Sequence, residues 1–360
     1  MNFVELGKVV EIKGGGTPDK SNPNYWGGSI PWASVKDFKS TIIENTIDMI
    51  TEDGVENSAT NIIPAGSIIV PTRMAVGKAA INKVDMAINQ DLKALFPSPE
   101  IDTRFLFHCL LANSQVLERQ ASGATVKGIK LDVLRALQVP VISMNEQKRI
   151  AAILDQADAL SQSRRRAITR LNDLSQSIFY EMFGDPRTNL KGMPVEELGQ
   201  IIKVGSGDGL TAENQNGGDY PVYGGNGVNG WHDAYNVERD TIVIGRVGVY
   251  CGAVHVTDRK AWVTDNALIV KLKRDMNISY LSSALKYANL NQYAGRSSQP
   301  LVSGTRIYPV KILVPDMNLQ KQYEQRITKI KELDYIFNSD RDKIENLFLS
   351  LQQRAFRGEL

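Results

Sequence analysis

The chain has only two cysteines in 360 residues, Cys109 and Cys251, one in each half. That is too few for a disulfide framework and suits small buried hydrophobes in a reducing compartment. The three histidines, His108, His232 and His255, are scattered, with no Cys or carboxylate partner at metal-ligand spacing. No stretch approaches the roughly 20 apolar residues of a membrane span. Met1-Asn2-Phe3-Val4-Glu5 shows no basic region followed by an apolar run, so no signal peptide is expected. The expected location is the cytoplasm. An excess of one charge is missing too. The formal net charge is +2, which is neutral on nucleic acid, because counterion release depends on local contacts and not on the total.

Catalytic signatures are equally scarce. Asn22-Pro23-Asn24-Tyr25 lacks the second proline of the Asn-Pro-Pro-Tyr motif of adenine methyltransferases, and no strand–GxG–helix site precedes it. Pro18-Asp19 followed by Asp37-Phe38-Lys39 fits a nuclease pattern too loose to separate from chance, and the second half does not repeat it. No Ser–His–Asp or paired-carboxylate constellation stands out. The expectation is a chain that performs no covalent chemistry.

What the sequence does have is a repeat. Met144-Asn145-Glu146-Gln147-Lys148 returns as Met317-Asn318-Leu319-Gln320-Lys321, 173 positions later, each preceded by Val-Pro (Val139-Pro140, Val314-Pro315). Glu5-Leu6-Gly7 is echoed by Glu197-Leu198-Gly199. Ordinary composition, 42% hydrophobic and 23% charged, lets each half bury its own core. A molecule with two similar ends suits a partner that also has two, and duplex DNA is the commonest.

Two segments, Glu146 to Phe183 and Leu319 to about Phe356, carry apolar residues three and four apart without internal Pro or Gly. That spacing predicts a coiled-coil seam, and about 38 residues make a rod of roughly 57 Å. Leu171, Leu174 and Ile178 fall on Ile344, Leu347 and Leu351 at the same offset. Polar stretches interrupt both rods, Ser161 to Arg166 and Asn338 to Lys343. These read first as solvated turns of helix and second as contacts for a partner protein or phosphates.

The parts between the rods read as mixed α/β domains. Ser67-Ile68-Ile69-Val70 and Thr241-Ile242-Val243-Ile244 suit buried strands. Ile88 to Phe96 and Val263 to Leu272 suit later ones, followed by helices near Thr103 to Gln120 and Ile278 to Leu290. The offset falls from 192 at Leu6/Leu198 to 174 at Ile68/Ile242, so the first domain holds extra residues, expected around Lys39 to Ile63.

At this point the chain resembles the DNA specificity subunits of type I restriction-modification systems. The resemblance rests on Gly14-Gly15-Gly16-Thr17-Pro18, on Ile30-Pro31-Trp32-Ala33-Ser34-Val35-Lys36-Asp37 and on Glu146 through Asp155. Gly123-Ala124-Thr125, Arg296-Ser297-Ser298-Gln299-Pro300 and Ala355 through Leu360 add to it. Tyr220-Pro221-Val222-Tyr223 replaces the Ile-Pro-Trp segment in the second half. The implied fold is α+β: two α/β target recognition domains (1–145 and 184–318) separated by two long antiparallel coiled-coil helices (146–183 and 319–360), with a pseudo-two-fold internal repeat. The implied function is to read a bipartite, asymmetric site in double-stranded DNA and to dock two modification (methyltransferase) subunits, through which restriction subunits join. No cofactor is expected in this chain, and S-adenosylmethionine, ATP and Mg2+ would belong to the partners. The alternative is a coiled-coil assembly protein whose domains bind protein or another ligand.

Candidate DNA contacts come from loops at matched places. Gly15 and Thr17 in the first glycine-rich loop and Ser206 in the second could approach phosphate, or the loops could be plain tight turns. Arg73 with Lys78, and Arg246, follow the strongest strand of each half and could clamp guanine or phosphate, with surface ion pairs as the alternative. Lys127 and Lys130 pair with Arg296, Ser297 and Gln299, and Arg306 follows nearby. Asn89-Gln90-Asp91 and Thr264-Asp265-Asn266 read as turns or strand supports first and DNA contacts second. For partner subunits the candidates are Gln147 and Arg149 at the first helix opening, Arg164 and Arg165 in its polar middle, and Gln320 at the second opening.

Overall fold

The computed structural model describes residues 2–123, 126–295, 300–338 and 343–357 with Glu359, and the backbone alone of 339–342. The chain divides into two compact units: Met1–Arg164 with Asp340–Leu360, and Arg165–Ser339. The two long helices, Met144–Phe183 and Met317–Arg357, each contribute residues to both units.

In the first unit the outer strands Asn2–Glu5 and Gln138–Val141 pair antiparallel. A five-stranded sheet follows in the spatial order Val10–Gly14, Leu92–Pro97, Ile68–Pro71, Ala80–Asn82 and Ile42–Ile43. A four-stranded sheet holds Asp48–Ile50, Trp26–Ala33, Met86–Ile88 and Ile62–Ile63. The second unit repeats the plan. Val195–Glu197 pairs with Lys311–Leu313, and Ile202–Ser206, Ala267–Leu272, Ile242–Gly245 and Val254–Val256 form one sheet. Gly227–His232, Tyr220–Gly224 and Trp262–Val263 form another. The parallel pairing of Trp32 with Ala87 returns as that of Val222 with Trp262.

Two expectations need correction. Ile88 to Phe96 and Val263 to Leu272 are not single strands: each is cut by its polar triplet, and the pieces join different sheets. The Asn89 side chain accepts from the Asp91 amide at 3.1 Å, an Asx turn that ends the strand locally. Likewise the stretch from Thr103 to Gln120 is two helices, Thr103–Ala112 and Ser114–Gln120, parted at Asn113. The extra residues of the first domain fall in two connections. Trp26–Ala33 and Asp48–Ile50 are joined by residues 34–47, where the second domain has the tight hairpin between Gly224 and Gly227; residues 51–61 carry the short helix Glu52–Glu56.

Each domain is welded to the long helices by apolar burial. In the first unit Ile150, Ala151 and Leu154, near the start of one long helix, share a core with Ala355, Phe348 and Leu351 near the end of the other. In the second, Phe179 and Phe183, near the end of the first helix, pack with Tyr323 and Ile327 near the start of the second. Start meets end in both units, so the helices run antiparallel. Burial is concentrated at these ends. Leu160, Leu174, Leu333 and Leu347, expected in the seam, are about half exposed.

Polar groups fix the joint. Gln147 is buried, its Oε1 accepting from the Asp102 amide (2.8 Å) and its Nε2 donating to the carbonyls of Glu100 (2.9 Å) and Ile142 (3.0 Å). Asp102 in turn caps the helix Thr103–Ala112 through Phe105 N. Gln320 does the same in the second unit, accepting from Asn277 N (3.0 Å) and donating to the Pro315 carbonyl (2.8 Å), while Asn277 caps Ile278–Tyr287. Gln147 and Gln320 are therefore internal clamps and not partner contacts, because every polar atom is spent inside. Replacing either by Ala strands buried backbone groups, an expected loss of about 1–3 kcal/mol, read as a lower urea midpoint for the unit concerned.

The first unit adds a charged joint. Asp155 accepts from His108 Nε2 at 2.7 Å and pairs with Arg104. Burial holds His108 below the ordinary histidine range despite the pull of Asp155. Burial alone would raise the Asp155 carboxyl, but hydrogen bonds from Arg104 and His108 outweigh it and hold it below the usual carboxylate range. Both depressed values act in one direction: the unfolded chain takes up protons first as pH falls, so stability is lost on acidification. In the second unit the place of His108 is taken by Ser283, bonded to Tyr323. Thermal scans from pH 7 to pH 5 should show the first unit weakening first, and His108→Gln should flatten that difference.

Candidate nucleic-acid interface

In the first domain four segments meet beyond the strand ends. Gly16 N donates to the Ile88 carbonyl (3.0 Å), Thr72 N to Asp91 (2.8 Å), Ile129 N to Thr72 (2.9 Å) and Met74 N to Lys127 (2.9 Å). The glycine-rich loop, the triplet Asn89–Asp91, the loop after Pro71 and the segment 127–129 therefore form one surface. A cleft of about 640 Å³ opens there, lined among others by Thr17, Lys20, Trp26, Met74, Gln90 and Asp91. Arg73 approaches the Asp91 carboxylate at 3.7 Å, with most of its side chain exposed. Lys93 lies beneath the turn, donating to the Gln90 carbonyl at 2.7 Å; burial lowers its pKa, with Asp91 pulling the other way.

The second domain builds the same frame. Asp208 N donates to the Val263 carbonyl (3.0 Å), Arg246 N to Asn266 (2.9 Å), and Val302 N to Arg246 (2.8 Å). The Arg246 guanidinium is held by Ser206 Oγ (3.1 Å) and the Asp265 carbonyl (3.2 Å).

The two glycine loops owe their composition to close packing. A Cβ on Gly15 would lie 1.9 Å from the Ile88 carbonyl oxygen, and one on Gly207 2.2 Å from that of Val263. Gly15 is a packing requirement at this spot, set by the close approach of the Ile88 carbonyl, while Thr17 beyond it reaches the cleft.

Backbone pairing also shifts two matches made from the sequence. Arg73 bridges Gly128 where Val247 bridges Leu301. The structural counterpart of Arg246 is thus Thr72, and Arg73 and Arg246 stand one residue out of register. Similarly, Ser122 N donates to Gly128 as Gly295 N donates to Leu301, so Gly295 matches Ser122 and not Lys127. Arg296, Ser297 and Gln299 lie outside the described residues.

The other candidates divide. Lys127 is exposed on the converging surface, and Lys130 is exposed before the short helix Leu131–Arg135. Lys78 instead donates to the Phe38 carbonyl at 3.4 Å. Arg306 lies against Gly295 and lines a separate cleft of about 690 Å³ with Gln176, Tyr180, Arg187, Tyr287 and Tyr293. Arg149 pairs with Glu146 on the exposed side of its helix (2.6 Å). Arg164 is half-buried and Arg165 exposed, both mid-helix. Sequence reasoning undervalued Gln90, exposed at the first cleft, and Asp265, exposed at the matching turn. Their matched place in the two triplets was the available signal.

Two carboxylates of the loose nuclease pattern have local structural partners. Asp37 accepts from the amides of Ser34 and Ile47, both at 2.8 Å, and Asp19 accepts from Ser21, so both carboxylates stabilise turns.

The model of the type I restriction modification DNA specificity domain matches residues 1–172 and again 191–346. The chain belongs to this family. It is 25% identical over 343 residues to the type I restriction enzyme EcoprrI specificity subunit of Escherichia coli, covering 89% of this chain and 85% of the relative. The EcoR124I/EcoR124II specificity subunit of the same species is 36% identical over 187 residues, covering 50% and 46%. The crystal structure of a type I system S subunit from M. genitalium has the same fold, with a TM-score of 0.67, 19% identity, and 99% and 96% of the two chains covered. No described helix of the specificity chain is long and apolar enough to cross a membrane.

Removing the charge of Arg73 should weaken binding to one half-site only, and removing that of Arg246 the other, by about 1–3 kcal/mol if a base edge is contacted. Titration against duplexes with each half-site scrambled in turn measures this. Equal losses on both would contradict the assignment of one half-site to each domain.

Proposed function

We propose that this chain is the non-catalytic, sequence-reading subunit of a cytoplasmic type I restriction-modification complex. Each domain reads one part of a bipartite, non-palindromic site in double-stranded DNA. The long helices set the spacer between the parts and carry two methyltransferase subunits, which recruit restriction subunits. S-adenosylmethionine, ATP and Mg2+ act on those partners. One observation carries the reading: the same four-segment frame is built twice, with Arg73 and Gln90 displayed in one copy and Arg246 and Asp265 in the other. A repeated frame with different side chains suits a duplex whose two half-sites differ. Family membership supplies the partner class.

The test is methylation of plasmid DNA by the chain alone and with its modification subunits. Alone, with S-adenosylmethionine, it should transfer no methyl group; together they should mark adenines in a split site. Deleting four residues between Ile168 and Ile178 should change the spacer, and an unchanged spacer would remove the ruler role. Methylation by the isolated chain would overturn the non-catalytic reading. A complex that forms but never binds DNA in a salt-dependent way would favour a protein-assembly role.

A further inference from the structure

Gln90 is held at both ends, and its amide edge remains open. Its backbone carbonyl accepts from Lys93 Nζ at 2.7 Å, and its side-chain oxygen accepts from the Thr17 hydroxyl. Asn89 before it and Asp91 after it are buried, each with polar atoms used by the turn. Gln90 itself is exposed at the cleft beside Arg73 and Met74. A glutamine that only served the fold would be expected to spend its amide hydrogens inside, as Gln147 does on two carbonyls and Gln320 on a carbonyl and the Met276 sulfur. With its oxygen on the Thr17 hydroxyl, the amide keeps a second lone pair, and both N–H donors have no partner among the described residues.

Met74 is the second unusual feature. It has the left-handed φ of 64°, its amide is tied to Lys127, and its apolar side chain is 61% exposed. The matching residue of the second domain is Gly248, φ 80°. The backbone therefore asks for glycine, and the first domain places a large apolar group there at a conformational cost of order 1–3 kcal/mol. An exposed methionine at the rim of the cleft that holds Gln90 gives that strained position a use.

We propose that the first domain reads an A·T pair in the DNA major groove: Gln90 accepts from adenine N6–H and donates to adenine N7, and Met74 packs on a thymine methyl. This rests on the proposed DNA-reading role. Amide and adenine edges match as an acceptor–donor pair, and thymine alone of the four bases offers a methyl to an apolar side chain. At the same turn the second domain carries Asp265, whose carboxylate has no donor for adenine N7. The two half-sites must then differ at this position.

The experiment is affinity selection from a randomised duplex library by the full chain and its Gln90→Ala, Gln90→Arg, Met74→Ala and Thr17→Val variants. The wild-type chain should enrich a split site with a fixed A·T pair in one half. Gln90→Ala should lose about ten- to hundredfold discrimination at that pair, Gln90→Arg should shift it toward G·C, and Thr17→Val should relax it partly. Met74→Ala should reduce preference for the thymine methyl, read with uracil in its place. Retention of the second half-site serves as the internal control for folding. An unchanged first half-site in Gln90→Ala, or a wild-type site without that A·T pair, overturns the assignment to Gln90. Failure of the wild-type chain to enrich any sequence overturns the DNA-reading role itself.

Discussion

The joint between each globular domain and the long helices rests on one buried glutamine. Gln147 and Gln320 sit one turn into their helices, and each grips the residue that caps the domain's own central helix. The amide supplies acceptor and donor at once, so it closes the cap and the preceding carbonyls without importing charge into an apolar core. A carboxylate or a leucine could not meet both needs. Around this point pack Ile150 and Leu154 in one unit and Tyr323 and Ile327 in the other. The orientation of each domain on its helices follows from an interaction that is polar, directional and shielded from water.

With the frame secured in that way, the reading surface is free to vary. Its backbone is set by hydrogen bonds that recur in both domains, and its glycines by close approach, Gly15 to Ile88 and Gly207 to Val263. Neither constraint touches the side chains that point outward. Arg73 and Arg246 can stand one residue apart, and Gln90 can replace Asp265, without disturbing a strand. Change of recognition and preservation of fold are separable because different atoms carry them.

The repeat and the long helices were legible because they are periodic, and periodicity survives in one dimension. The buried strands were legible because short apolar runs such as Ile68 to Val70 and Ile242 to Ile244 suit segments buried on both faces. Strand ends were not: Asn89 and Thr264 terminate strands through local bonds, which hydrophobic runs such as Ile88 to Phe96 conceal. The partner role expected of Gln147 failed for a related cause. A glutamine at a helix opening looks exposed until the domain's cap is folded over it.

By itself, the sequence determined the duplication, the α+β class, the helix pair and the family, since all of these are carried by order and spacing. Only the tertiary structure decided which residues are equivalent across the repeat and which polar groups are spent. Register depends on pairing between segments far apart in the chain, as when Gly128 meets Arg73 and Leu301 meets Val247. Whether a glutamine is a clamp or a reader depends on what is left near its amide once the chain has closed around it.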